Sequence, residues 1–139
     1  MKHNESVTKI MSRNVVSVHH GDPISKVRQL IKEQGVHHVP VVRGDQLVGL
    51  ISYSDILRVS FGDAFNADER AVDATLDHTM TLEQIMATDV TTLTEHSTIR
   101  EAAEILAQGK FHSLPVLSGR KLVGMVTSTD LIRYLVEQF

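Results

Sequence analysis

Residues 37–58 read HHVPVVRGDQLVGLISYSDILR, and residues 112–133 read HSLPVLSGRKLVGMVTSTDLIR. Nine of these 22 aligned pairs are identical: His37/His112, Pro40/Pro115, Val41/Val116, Gly44/Gly119, Leu47/Leu122, Val48/Val123, Gly49/Gly124, Asp55/Asp130 and Arg58/Arg133. Within each stretch two β-branched runs flank a glycine turn, and a polar Ser/Thr-x-x-Asp then opens an apolar helical period. That is a strand hairpin running into a helix, made twice.

Working outward, the same 75-residue shift aligns residues 10–58 with 85–133 without a gap, and 13 of the 49 pairs are identical. An internal repeat therefore organises the chain. Ahead of the hairpin, Val15–Val18 reads as a short strand. Asp22-Pro23 reads as an N-cap followed by proline at the first helical position, and Ile24, Val27, Leu30 and Ile31 at helical spacing run to a stop at Gly35. The second copy offers Val90–Leu93 as strand, Ser97 as cap and Ile99–Leu106 as helix. The turns fall at Arg43-Gly44-Asp45-Gln46 and Ser118-Gly119. Each copy is thus strand-helix-strand-strand-helix, in the α/β (α+β) class. A copy of about 50 residues buries too little surface to stand alone, so the two should pack as one pseudo-twofold unit. The copies are assigned to 7–58 and 82–139, with a connector at 59–81. There Phe61, Phe65, Val72 and Leu76 suggest an acidic amphipathic helix, and Thr81 with Gln84 suggests a capping box.

Composition narrows the function. The chain has 139 residues, 42% apolar and 22% charged, as a globular domain does. With no Cys, thiolate nucleophiles, thiolate metal sites and disulfides are excluded. The polar start and the lack of any run near 20 apolar residues point to a soluble, cytoplasmic protein with no membrane partner. Net charge is −3, from 14 basic and 17 acidic residues; the connector holds −4 of it, which leaves +1 elsewhere. No basic stripe supports a nucleic-acid footprint. No P-loop, G-x-S-x-G or H-E-x-x-H motif is present, so no catalytic residues are assigned and the chain reads as a non-enzyme. The eight His raise a metal- or nucleic-acid-responsive regulator as a third reading. However, His19-His20 and His37-His38 are adjacent pairs whose members point to opposite faces of a strand, so no metal site is assigned.

The repeated polar residues admit two accounts. Ser52-x-x-Asp55 and Thr127-x-x-Asp130 at strand-to-helix junctions suit capping boxes. The same geometry suits a ligand: a helix N-terminus and hydroxyl favour an anion, and an Asp carboxylate can accept both hydroxyls of a ribose diol. His37 and His112 are edge residues in the plain account and phosphate donors in the other. Arg58 and Arg133 read as solvated i,i+3 partners of the aspartates.

The ordered set of Val7–Met11, Val36–Val42 and Gly49–Asp55, repeated at Leu82–Met86, Phe111–Leu117 and Gly124–Asp130, resembles a CBS domain, and the chain resembles a stand-alone tandem pair, or Bateman module. The resemblance implies a regulatory ligand sensor that binds an adenosine compound (AMP, ADP, ATP or S-adenosylmethionine) in the cleft between repeats and signals to a separate target protein. Carried onto this sequence, Asp55 and Asp130 match the ribose acid, and Ser52 and Thr127 the hydroxyl at ribose or phosphate. Leu50, Met125, Val36, Phe111, Val16 and Thr91 match positions around the adenine, and His37 and His112 a phosphate-side position. A kinase regulatory subunit of the family has Arg after that His, where this chain has His38 and Ser113. The rival account is an assembly module with a vestigial cleft. A homodimer is expected from the apolar Leu57, Leu131, Ile132, Leu135 and Val136.

Overall fold

In a computed structural model that describes residues 4–60 and 69–139, the two quoted stretches form the same hairpin and helix. Strands β2 (His38–Arg43) and β3 (Gln46–Ser52) pair antiparallel and run into helix α2 (Tyr53–Ser60). The second hairpin is β5 (Ser113–Ser118) with β6 (Lys121–Thr127), followed by α6 (Ser128–Gln138). Gly44 and Gly119 each take a φ of 63°, and among the described residues no non-glycine residue has a positive φ. A left-handed first position alone is the pattern of a type II′ hairpin turn, which matches strand twist. Both ladders shift register at the same place, between Val41 and Val42 and between Val116 and Leu117.

The remaining elements complete the strand-helix-strand-strand-helix order. Strand β1 (Val18–His19) runs parallel to β2 and precedes α1 (Ile24–Gln34); β4 (Leu93–Thr94) runs parallel to β5 and precedes α5 (Ile99–Ala107). Connecting them are α3 (Glu69–Thr79) and α4 (Leu82–Ile85). Both first strands are shorter than the β-branched runs suggest. Val18 and His19 meet Val41 and Val42, and Leu93 and Thr94 meet Val116 and Leu117, while the residues ahead of them lie outside the ladder.

The predicted caps move by one residue. Asp22 does not cap α1: its carboxylate accepts the His19 N–H at 2.9 Å, closing the turn after β1, and Pro23 takes the N-cap place without a side-chain bond. Ser97 likewise accepts the Thr94 N–H at 3.0 Å, and Thr98 is the true cap of α5, in a box with Glu101. Both polar residues sit one position too early, and a short polar side chain there satisfies the turn amide instead. The Thr81/Gln84 box at α4 is present.

The molecule divides into two compact units that cut across the sequence repeat. One is Val16–Val90; the other joins the chain up to Val15 with Thr91–Phe139. In the first, Val18, Ile24, Val27, Val39, Val41, Ile51 and Ile56 form a core with Val72 and Leu76 of α3 and Leu82 and Ile85 of α4. The apolar face expected for the connector is thus real at Val72 and Leu76, whereas Phe61 and Phe65 lie outside the described residues. In the second unit, Val7 and Met11 join Leu93, Ala102, Leu106, Leu114, Val116 and Val126. The segment that leads into each copy is therefore part of the core built on the other copy's hairpin.

Candidate functional site

Each strand-to-helix junction carries a reciprocal cap. In the first unit, Ser52 N–H donates to Asp55 Oδ2 at 2.9 Å and Asp55 N–H donates to Ser52 Oγ at 3.1 Å. In the second, Thr127 N–H donates to Asp130 Oδ2 at 2.8 Å and Asp130 N–H to Thr127 Oγ1 at 3.1 Å. The capping account of these residues is therefore correct in both copies. It uses one oxygen of each carboxylate. The other faces the arginine one turn on: Arg58 Nη2 donates to Asp55 Oδ1 at 3.0 Å, and Arg133 Nη1 lies 3.5 Å from Asp130 Oδ1. Both arginines are 67% exposed, so their tie to the acid is held loosely. A carboxylate offers about four lone-pair sites, so the cap leaves each aspartate able to accept a diol. Asp130 is buried and Asp55 half-buried.

Register fixes what stands beside these acids. Ser52 pairs with His38 and Leu50 with Pro40; Thr127 pairs with Ser113 and Met125 with Pro115. Partners across an antiparallel ladder share a face, as do alternate residues along a strand. Leu50 and Ser52 thus share a face with His38, and Met125 and Thr127 with Ser113. His37 and His112 are exposed, and their carbonyls accept the first N–H of the following helix, Tyr53 at 2.8 Å and Ser128 at 3.0 Å. The His37 ring meets Tyr53 edge-on, with centroids 6.1 Å apart. Val36 and Phe111 are half-buried and pack on the two cores. Val16 and Thr91 are half-buried just ahead of β1 and β4.

Two features escaped the sequence reading. Ser113 Oγ is buried and has no hydrogen-bond partner among the described residues. A lone serine in a strand gives no warning of this, since partners depend on tertiary placement. The other is how Leu50 and Met125 are held. Leu50 exchanges two backbone bonds with Ala87, both 2.9 Å, and Met125 exchanges two with Ser12, at 2.9 and 3.0 Å. A Cβ on Gly49 would overlap Met86 and approach the Ala87 carbonyl to 3.1 Å; one on Gly124 would overlap Met11 and approach the Ser12 carbonyl to 3.0 Å. The traces in the sequence were the recurring pairs Gly49/Gly124 and Met11/Met86, whose mutual contact only the fold displays.

Among the described residues, no group of three or more His, Cys, Asp or Glu could hold a metal ion, and no helix is long and apolar enough to cross a membrane. His20 instead lies 3.4 Å from Glu83.

Comparison with known proteins agrees with this architecture. The chain is 29% identical over 134 residues to an uncharacterized protein of Methanocaldococcus jannaschii, covering 94% of this chain and 32% of that one. It is 29% identical over 120 residues to an inosine-5'-monophosphate dehydrogenase of Korarchaeum cryptofilum, covering 86% of this chain and 22% of the enzyme. The chain thus spans a minor part of these relatives. Among solved structures, CBSX2 in complex with AMP superposes with a TM-score of 0.79 at 21% identity, covering 96% of this chain and 98% of that one. The CBS domain pair of protein MJ0100, in complex with 5-methylthioadenosine and S-adenosyl-L-methionine, gives 0.73 at 25% identity, covering 94% and 98%. The CBS domain model matches residues 7–62 and again 82–137, and the chain accordingly belongs to the CBS domain family.

Proposed function

We propose that the protein is a regulatory module, not an enzyme, that binds an adenosine compound of the AMP, ADP or ATP class at each Ser/Thr–Asp junction and signals to a separate target protein. The observation that carries this reading is the recurrence, in both copies, of a helix-opening aspartate with acceptor capacity beyond its cap, bonded to a Ser or Thr that shares a strand face with an apolar residue. Asp55 and Asp130 take the ribose diol, and Ser52 and Thr127 stand beside it. Leu50 with Val36 and Val16, and Met125 with Phe111 and Thr91, take the side of the base, Leu50 half-buried and Met125 buried. His37 and His112, exposed just ahead of β2 and β5, take the phosphate side. The AMP, methylthioadenosine and S-adenosylmethionine complexes named above support the ligand class. Calorimetric titration with AMP, ADP, ATP and S-adenosylmethionine tests it. Saturable binding of one of them supports the reading; no binding at millimolar concentration favours the assembly module.

The same protein is proposed to form a homodimer. Of the residues expected to form it, Ile132, Leu135 and Val136 follow helical spacing along α6 and are exposed, as is Leu57 on α2, whereas Leu131 is half-buried and packs on the core of its own unit. Burial of such a stripe across a twofold axis is the commonest symmetric solution. Light scattering should give about twice the 15.4 kDa chain mass at high micromolar concentration.

A further inference from the structure

The lead segment of the second unit touches both elements that carry its aspartate site. Ser12 makes its two backbone bonds to Met125 of β6, and Met11 packs where Gly124 leaves room. Val7 is fully buried, and its N–H donates to Ser97 at 2.9 Å, while the Glu5 carbonyl accepts the Ile99 N–H at 2.8 Å. At its other end, the Glu5 carboxylate accepts a hydrogen bond from the Tyr134 hydroxyl. Tyr134 is buried and stands one turn beyond Asp130 on α6. One short stretch of chain is therefore fastened to the strand of Met125 and Thr127 and to the helix of Asp130.

The first unit has only half of this arrangement. Ala87 and Met86 hold Leu50 and Gly49 in the same way. Under the 75-residue shift, however, the counterparts of Glu5 and Tyr134 are Met80 and Val59. Both are apolar and pack against the core, so no polar tie joins that lead segment to α2 at this place.

We propose that Glu5 and Tyr134 are positioning residues for the ligand-binding group of the second copy, acting through the lead segment on Met125 and through α6 on Asp130. The inference rests on the adenosine-binding reading above. If segment and ligand both favour one spacing of β6 and α6, each strengthens the other's hold, and the coupling is reciprocal. The bond to Glu5, and after it burial, raises the pKa of the phenol. The segment ahead of Val16 would then report occupancy of one copy only.

The test uses the full chain with AMP as probe. The unmutated protein is titrated first; if it does not bind AMP, the inference falls with the ligand reading. If it binds, Tyr134→Phe and Glu5→Ala are each introduced into Asp55→Ala, where the second site remains, and into Asp130→Ala, where the first remains. Positioning predicts a loss of affinity of about 5-fold in the Asp55→Ala chain and none in the Asp130→Ala chain, with the double variant no worse than either single. It also predicts that AMP slows amide exchange at Ser12 in the Asp55→Ala chain. A lowered melting temperature with AMP affinity unchanged in the Asp55→Ala chain would overturn the proposal and leave a plain structural bond. Equal losses in both chains would overturn it as well.

Discussion

The two copies share a fold and differ in how their first helices begin. Helix α5 caps itself: Thr98 Oγ1 accepts the Glu101 N–H at 3.0 Å, and the Glu101 side chain returns to the Thr98 N–H. Helix α1 has Pro23 at its N-cap and no side-chain cap of its own. Its missing acceptor comes from 52 residues away, where Asp77 of α3 accepts the Ser25 N–H at 2.9 Å and the Ser25 hydroxyl at 2.6 Å. A second acid of the same helix, Asp73, pairs with Arg28. The acidic connector is therefore not a bare spacer: part of its charge serves the first helix dipole. A local cap forms with the helix it serves, whereas a distant one waits for tertiary contact. The first copy is thus the one whose order depends on the connector.

The largest difference should come from the aspartates at the ligand junctions. Under the proposed function, Asp55→Ala or Asp130→Ala should weaken nucleotide binding in its own copy by about 2–4 kcal/mol, roughly 30- to 1000-fold. Each also removes a cap, at about 1 kcal/mol of stability. Asn accepts a capping bond nearly as well as Asp but lacks the charge. Asp55→Asn should therefore keep most of the apo melting temperature while losing much of the affinity. Affinity unchanged in both variants, by calorimetry, would reduce these residues to caps.

Next in size are the glycines beneath the lead segments. Gly49→Ala and Gly124→Ala should each cost about 1–3 kcal/mol in denaturant unfolding, because the added methyl meets methionine and a backbone carbonyl. Met86→Ala should recover part of the Gly49→Ala loss and none of the Gly124→Ala loss; Met11→Ala should do the reverse. That pairing breaks the 75-residue repeat by design, since each methionine answers the glycine of the other copy. Rescue within the same sequence copy would contradict the exchanged packing.

These pairs also mark where the sequence was legible. The order of elements along each copy, both hairpin turns and all four main helices follow from local periodicity and glycine punctuation, which need no knowledge of the partner surface. The Ser/Thr-x-x-Asp boxes were legible because a cap is satisfied within four residues. The exchange of lead segments was not, since Met11 and Gly124 are joined by tertiary packing and either copy's glycine could have received either methionine. For the same reason the cap of α1 was misplaced. Asp22 looks like a cap beside Pro23, and nothing local announces that Asp77 will supply the bond instead.

Removing each cap turns that contrast into a number. Asp77→Ala and Thr98→Ala should each lower stability by about 1 kcal/mol, the former somewhat more because the Ser25 hydroxyl also loses its partner. The distant cap should further show itself in kinetics. If α3 docks late, Asp77→Ala should raise the unfolding rate with little change in folding rate, whereas Thr98→Ala should alter the folding rate more. Equal partition in the two variants would erase the distinction.

The smallest effect concerns the turns before these helices, where Asp22 and Ser97 do the same work with different chemistry. Each accepts the N–H three residues back, from His19 and Thr94. The Asp22 carboxyl is held below its ordinary value of 3.8, chiefly by that backbone bond and, against the opposing effect of burial, also by Lys26. A carboxyl depressed on folding stabilises the native state fully above its unfolded pKa, and the contribution fades as pH falls through the folded value. Ser97 does not titrate, so this acid sensitivity belongs to the first copy alone. Asp22→Ser copies the second turn into the first. It should leave the unfolding free energy slightly lower at neutral pH, where Lys26 loses its partner, and make it less dependent on pH below about 4. Urea unfolding of the two proteins at a series of pH values measures the difference, and parallel curves through the acid range would show that Asp22 adds nothing its neutral counterpart does not.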